Sequence, residues 1–489
     1  MNEEAKKNDK RSVISGFLWR FSERIGAQLV TLLVSTYLKY LLGPEQYGTI
    51  NLVTIFITIA NVFVTSGFGN SLIQKKNADD LDFSTVFYFN IGFSLVVYGV
   101  LFLVSPLLAS LYKDEALTWV IRILGIRIPI AAINSVQQAY VSRKMMFRKF
   151  FFSTITGTVI SGVVGIVMAI YGFGIWSLVA QYLTNVFVGT VVLFFTVKWR
   201  PSRCFSWERL GGLLSYGWKL LVSGLIETGY NELRKIIIGL KWDKTDLSFY
   251  TSGNEYPQFL GTNVNASITS VIFPVISKYQ DDINAVRNMT RRAIKVSSYI
   301  MCPIMMGFAL VAVEFFTIFL GNEWLEAVKY CQMACFVYAF WPIHTANLEA
   351  MKAVGRSDLY LKLEMIKKVI GVTALIIAMQ FSVYAIAFSG MITTLISSFI
   401  NAYPNKKLLG YGYVQQVKDM LPGVFYSLVM AAAVVAVGFL NFGGIPMLIL
   451  KVFTGGAVYL GVSILTRSES FRYLWKTAMG FIKKKKRTE

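Results

Sequence analysis

Runs of twenty or so apolar residues, separated by short polar turns, recur along the whole chain. A helix needs roughly 20 mostly apolar residues to cross about 30 Å of hydrocarbon. Fourteen stretches meet that pattern, near 12–42, 47–73, 84–111, 117–141, 150–171, 175–197, 211–240, 247–276, 296–320, 325–351, 361–380, 383–403, 420–441 and 445–466. They predict an all-α polytopic membrane protein of about 14 transmembrane helices. The stretch at 361–380 opens with Lys362, Glu364, Lys367 and Lys368, so its start is expected to lie on the membrane surface as an amphipathic turn.

The polar turns carry an asymmetry. Alternate connections hold 21 Lys and Arg, from Lys75 through Arg143, Arg209, Arg292 and Arg356 to Lys418, whereas the opposite set holds only Lys113, Lys241 and Lys244. Cations resist passage across an energised membrane and are held by anionic headgroups on the cytoplasmic side. The basic loops are therefore predicted cytoplasmic, as are both termini, with Lys6, Lys7, Lys10 and Arg11 at one end and Lys483–Lys486 and Arg487 at the other. Two ends on one side require an even number of spans, which fourteen satisfies. The first apolar run contains Arg20, Glu23 and Arg24 and has no small-residue cleavage site after it, unlike a removable signal. These features predict a multi-pass protein of the bacterial cytoplasmic membrane.

Composition agrees and removes other classes. Of 489 residues, 55% are hydrophobic and 15% charged, with mean hydropathy +0.54, against about 45–50% and 25% in soluble domains. The net charge of +21 is spread along one membrane face rather than gathered on a domain, which speaks against nucleic acid as a partner. Four cysteines and one histidine give no disulfide framework and no zinc cluster. No phosphate loop, nucleophile elbow or H-E-x-x-H motif occurs. Asp79, Asp80 and Asp82, and the pair Asp281 and Asp282, fall in basic loops. They fit either ordinary solvated loops or a metal and nucleotide-sugar site of a membrane glycosyltransferase.

The first and seventh stretches begin alike, Ser15-Gly16-Phe17-Leu18-Trp19 and Tyr216-Gly217-Trp218, and each leads past charges and an outer turn to an aromatic, Tyr47 and Tyr250. The offset of about 200 residues predicts two parallel six-helix lobes, 1–200 and 201–404, of the kind that transporters build from repeats. Residues 405–489 then form an appended pair of spans with a basic tail.

Ionisable residues inside spans cost about 2.5–3.5 kcal/mol or more at the bilayer centre, so they face protein or water. Arg20, Glu23 and Arg24 share one face of the first helix by their i, i+3, i+4 spacing. Glu227, Asn231, Arg234 and Lys235 share one face of the seventh, and Glu255 lies in the eighth. Such sets suit two roles. Arg20, Arg24, Arg234, Lys235 and Asn231 can hold a phosphate-bearing substrate, while Glu23, Glu227 and Glu255 can take up a proton or Na⁺ and couple it to movement. The same charges can equally pair with one another and only hold helices together. Arg122 and Arg127 in the fourth span are balanced between these roles. His344, Cys331 and Cys335 are expected to be packing residues. No catalytic residue, metal site or bound cofactor is expected.

Particular stretches resemble a known family. They are Leu42-Gly43-Pro44-Glu45-Gln46-Tyr47-Gly48, the run from Gly67 to Lys76, the run from Tyr171 to Gln181, Ile272 to Ser277, Gly321-Asn322-Glu323-Trp324 and Ala353 to Asp358. In this order, across residues 40 to 360, the set is similar to bacterial polysaccharide flippases of the O-antigen and teichuronic acid type. The resemblance implies the multidrug/oligosaccharidyl-lipid/polysaccharide exporter fold, with two six-helix lobes in a V and two extra helices. It also implies a short oligosaccharide on undecaprenyl pyrophosphate as substrate, moved from the cytoplasmic to the outer leaflet. Membrane lipids, a polysaccharide polymerase and glycosyltransferases are the partners it implies. It carries over no site residue. A multidrug exporter of this fold, a peptidoglycan-precursor flippase, and a membrane glycosyltransferase or polysaccharide polymerase are the alternatives. The several arginines oppose the first, and the lack of a large external loop opposes a polymerase.

Overall fold

A computed structural model gives the backbone over 3–65, 68–75, 77–279, 281–440 and 442–485. Side chains are described from Ile25 onward, except 66–68, 70, 76, 216, 268, 271–275, 277, 280, 441, 477–478 and 480–489. Among the described residues every element is helical and no strand occurs, as expected for an all-α membrane protein. The chain runs α1 (Glu3–Thr65), α2 (Phe68–Gln74), α3 (Asp80–Leu111), α4 (Ala116–Gly125), α5 (Arg127–Arg143), α6 (Phe147–Ile170), α7 (Ile175–Thr196), α8 (Trp207–Lys241) and α9 (Lys244–Lys278). It continues with α10 (Ile283–Phe319), α11 (Glu326–Ala339), α12 (Trp341–Ala353), α13 (Ser357–Ala378), α14 (Val383–Leu409), α15 (Tyr413–Gly438), α16 (Gly444–Leu465) and α17 (Glu469–Lys485).

Among the described residues, each apolar stretch read from the sequence lies mainly on helix. Nine helical segments among the described residues are long and apolar enough to cross a membrane. The segment at Ile25–Thr65 contains two of the fourteen expected spans in one helical run. Its direction changes at Gly43, whose φ of 70° lies in the left-handed region that glycine enters without a Cβ clash. Pro44 then starts the next turn, where its missing N–H costs nothing. The other expected spans, α8, α9, α11 with α12, and α13, are helical but more polar. In α13 no separate surface turn forms: the helix runs unbroken from Ser357, and Lys367 pairs with Glu364 at 2.6 Å. The appended tail adds α17, which the hydrophobic pattern did not predict.

By its contacts the chain divides into two compact units, Met1–Ser248 and Phe249–Glu489. α8, grouped with the later helices by the repeat, lies in the first unit by contact. Lipid tails are as apolar as leucine, so helices in a membrane associate by close packing rather than by apolar burial. Within the first unit α6 shows this. A Cβ on Gly162 would stand 2.7 Å from Val34 Cγ2, and one on Gly157 would stand 2.9 Å from the Asn185 carbonyl. Glycine at both places lets α1 and α7 approach. Towards the basic loops an aromatic cluster closes the unit, with Phe83 5.7 Å and Tyr140 5.9 Å from the Trp199 ring. In the second unit α15 and α16 pack on α10. The Tyr459 hydroxyl donates to the Tyr299 carbonyl at 2.6 Å, and Arg291 grips the buried Asp419 through Nε at 2.7 Å and Nη2 at 2.9 Å. Large apolar side chains left outward, such as Leu103 and Phe439, are suited to lipid.

Candidate functional site

The first unit holds a half-open cavity of about 440 Å³. Its walls come from α1, α2, α5, α6 and α7, and its lining mixes polar and apolar surface although the helices are apolar: Asn61, Arg127, Asn134, Gln138, Ser153 and Asn185 all line it. The local sequence explains how the space is held open. α4 ends at Gly125 and α5 starts at Arg127, so the fourth span is broken where the guanidinium enters. On the far wall Ser153 Oγ donates to the Gly189 carbonyl at 2.6 Å, fixing α6 against α7 through small residues. Asn185 Nδ2 is held by Thr158 and Ser161 at 3.4 and 3.3 Å.

Three groups on this wall are left over. Asn61 Oδ1 and Asn134 Oδ1 are buried and have no hydrogen-bond partner among the described residues. The Arg127 guanidinium lies 5.7 Å from the Tyr182 ring, and no described carboxylate pairs with it. A buried amide oxygen without a partner costs about 1–3 kcal/mol, and a cation facing a membrane interior costs more. Such groups are retained where a ligand or water satisfies them.

The charges singled out from the sequence distribute differently. Arg20, Glu23 and Arg24 lie outside the described residues. Along α8, Asn231 Nδ2 donates to Glu227 Oε1 at 3.4 Å, while Lys235 pairs with Glu232 at 2.9 Å instead of with Glu227. Arg234 makes no ion pair with a described carboxylate, and its Nε is buried without a partner. Glu255 is half-buried on α9 within the second unit. Arg127 belonged to the residues whose role the sequence left balanced, and the four amides around it were not selected at all. A neutral Asn or Gln within an apolar run was the only signal available. Glu314 and Lys451, an ion pair joining α10 to α16, was likewise not anticipated.

The acidic loop clusters are engaged structurally. Asp79 caps α3 by accepting from the Asp82 amide at 2.9 Å, and the Asp82 carboxylate accepts from the Asp79 amide at 3.2 Å. The Asp82 amide bond, helped by Arg209, holds the Asp79 carboxyl below its ordinary value against a small effect of burial. Asp82, fully buried, also pairs with Lys75 at 2.6 Å and with Arg209 at 3.6 Å. Asp282 caps α10. At the opposite end of the first unit Lys244 bridges Glu45 at 3.2 Å and Asp114 at 3.0 Å. Burial lowers the Lys244 ammonium's pKa, but its hydrogen bonds to Asp114 and Glu45 carry it above the usual lysine value.

Membrane-spanning helices around a half-open cavity with polar groups on its wall are the architecture of a membrane transporter. The same fold occurs in a lipid II flippase, MurJ, in an inward closed conformation, with TM-score 0.73 over 93% of this chain and 99% of that one at 15% identity. It occurs also in an inward-facing MATE family multidrug transporter of the MOP superfamily, with TM-score 0.57 over 78% and 95% at 16% identity. A family model described as "Polysaccharide biosynthesis protein" matches residues 38–329, and the chain belongs to that family. It is 23% identical over 430 residues, 86% of each chain, to the lipopolysaccharide biosynthesis protein WzxC of Escherichia coli. It is 23% identical over 353 residues, 71% of this chain and 73% of the other, to the teichuronic acid biosynthesis protein TuaB of Bacillus subtilis.

Proposed function

We propose that the chain is a flippase that moves undecaprenyl-pyrophosphate-linked oligosaccharide units from the cytoplasmic to the outer leaflet for surface polysaccharide synthesis. The observation that carries this reading is the polar cavity of the first unit, whose unpaired guanidinium and amides suit a hydrated head group that could not otherwise pass hydrocarbon. In this reading the chain is not an enzyme. It binds the head group inside protein while the lipid tail stays in the bilayer, with both termini and the basic loops in the cytoplasm. The lobes 1–200 and 201–404 alternate access, with 405–489 appended to them. A polymerase and glycosyltransferases act on the same lipid-linked unit before and after it.

Arg20, Arg24 and Arg234, aided by Lys235 and Asn231, neutralise the pyrophosphate. Glu23, Glu227 or Glu255 exchanges a proton or Na⁺ so that an ion gradient biases the cycle. The substrate must bind the two access states unequally, because a ligand with equal affinity for both shifts nothing.

Deleting the gene in its host tests this reading. Surface polysaccharide is expected to vanish while peptidoglycan synthesis continues, and the wild-type gene is expected to restore it. Arg234→Ala is expected to reach the membrane in normal amount and export less polysaccharide. Unchanged polysaccharide in the deletion strain overturns the reading. A block in peptidoglycan synthesis instead transfers it to the peptidoglycan precursor.

A further inference from the structure

We propose that the cavity of the first unit is a saccharide subsite that receives one sugar residue bearing a single negative charge, rather than the pyrophosphate. This rests on the transport reading above and names which part of the head group the cavity recognises.

Charge balance is the first reason. Among the described residues Arg127 is the one cationic side chain on the wall, and no described acidic side chain lines the cavity. A lone guanidinium matches one carboxylate in a two-bond fork. A pyrophosphate carries several negative charges and would be left mostly uncompensated there.

The second reason is the kind of polar atom left over. Asn61 Oδ1 and Asn134 Oδ1 are acceptors in want of donors. Sugar hydroxyls donate and accept, as the amides of the wall do, whereas ionised phosphate oxygens only accept. Gln138 and Asn185 add further amides that can both give and take. Size agrees as well, since about 440 Å³ falls within the roughly 300–1,000 Å³ of small-molecule sites.

The third reason is where Arg127 sits. It opens α5 at the break after Gly125, and its guanidinium lies near the Tyr182 ring. Seating against an aromatic ring fixes the fork without neutralising it. The amides extend from there along α5, from Asn134 to Gln138, one helical turn apart. A sugar anchored by its carboxylate at Arg127 has hydroxyl partners further along the same helix.

Titration calorimetry on the purified full-length chain in detergent, with glucuronate, glucose and inorganic pyrophosphate as probes, tests the assignment. Glucuronate is expected to bind about tenfold or more tighter than glucose. Arg127→Gln is expected to erase that advantage, so that the two sugars bind alike, while Arg127→Lys keeps part of it. Gln138→Leu, on the open wall, is expected to weaken both sugars together. Melting curves of each variant show whether it is folded, and the Lys and Leu variants keep the question open to refutation if Arg127→Gln is not. Equal binding of the two sugars by wild type overturns the subsite. An unchanged preference in Arg127→Gln does the same, as does pyrophosphate binding that Arg127→Gln abolishes. A chain that restores surface polysaccharide yet shows no glucuronate preference loses the subsite and keeps the transport reading. One that binds glucuronate selectively yet restores nothing loses the transport reading and keeps the subsite.

Discussion

The interiors of the two units both contain buried amides, and both leave some amide oxygens unpaired, but they differ in how far the rest of each cluster is bonded within the protein. In the second unit Asn347 is fully buried among α12, α14 and α15, and its bonds are made within the protein. Its Oδ1 accepts from Asn405 at 2.6 Å and from Gln416 at 2.9 Å, and its Nδ2 donates to Gln416 Oε1 at 2.7 Å. His344 joins at the edge through Asn401 at 3.1 Å. The amide oxygens of Asn401 and Asn405 stay unpaired there, yet their nitrogens are held. Elsewhere in the second unit intramembrane charge is paired, Glu314 with Lys451. In the first unit Asn61, Asn134 and Arg127 instead surround empty volume. The lesson is that polar residues in a membrane protein must be judged by where their bonds go. A closed network holds helices in register, and an open one awaits a ligand.

That contrast can be broken by experiment. The largest expected effect on stability is Asn347→Leu, which strands Gln416 and Asn405 and is expected to cost about 2–4 kcal/mol, read as a drop in detergent melting temperature. Next comes Asp419→Asn. It breaks the fork with Arg291 and the bond from the Tyr411 hydroxyl at 2.8 Å. The expected loss is about 2 kcal/mol, below that of a wholly buried pair because the Arg291 side chain is half exposed. Asn134→Leu is expected to change the melting temperature little, within about 0.5 kcal/mol, because it removes an atom with no partner. If Asn134→Leu proves as damaging as Asn347→Leu, the first unit's amides are structural and the contrast fails.

The smallest effect is that of acid. Asp79 is held low by the Asp82 amide, and Glu469 by its hydrogen bond to Lys295 at 2.8 Å. A carboxyl with a depressed folded pKa adds stability above its ordinary value, and that share is lost as pH falls through the folded one. Both groups are exposed to water, so a modest decline in melting temperature is expected as pH is lowered below the ordinary carboxylate range. Asp79→Asn is expected to flatten part of that decline.

Much of this was legible in the sequence, for particular reasons. Apolar runs of twenty residues leave a continuous signal, so the all-helical class and the places of the long helices could be read directly. The bend at Gly43 was read as a loop between two helices, because composition does not distinguish a one-residue change of direction from a longer turn. α17 escaped because its charged surface resembles a solvated tail. For the site, charges announced themselves, and Arg234 and Glu227 were found on one helix face. Their pairing was not legible: Lys235 chose Glu232, three residues away, over Glu227. The cavity was hidden because Asn61 and Asn134 lie far apart in sequence and carry no charge to mark them. Lys451 and Glu314 carry charge, but their pairing was hidden because they lie 137 positions apart.

The central claim is the proposed transport of a lipid-linked sugar head group by this protein. Purified protein reconstituted into liposomes holding a fluorescent undecaprenyl-pyrophosphate oligosaccharide, with a membrane-impermeant quencher outside, measures it directly. The expected result is movement of the label between leaflets that is lost in Arg234→Ala. Label that stays in its leaflet with folded wild-type protein, under both proton and Na⁺ gradients, contradicts the account.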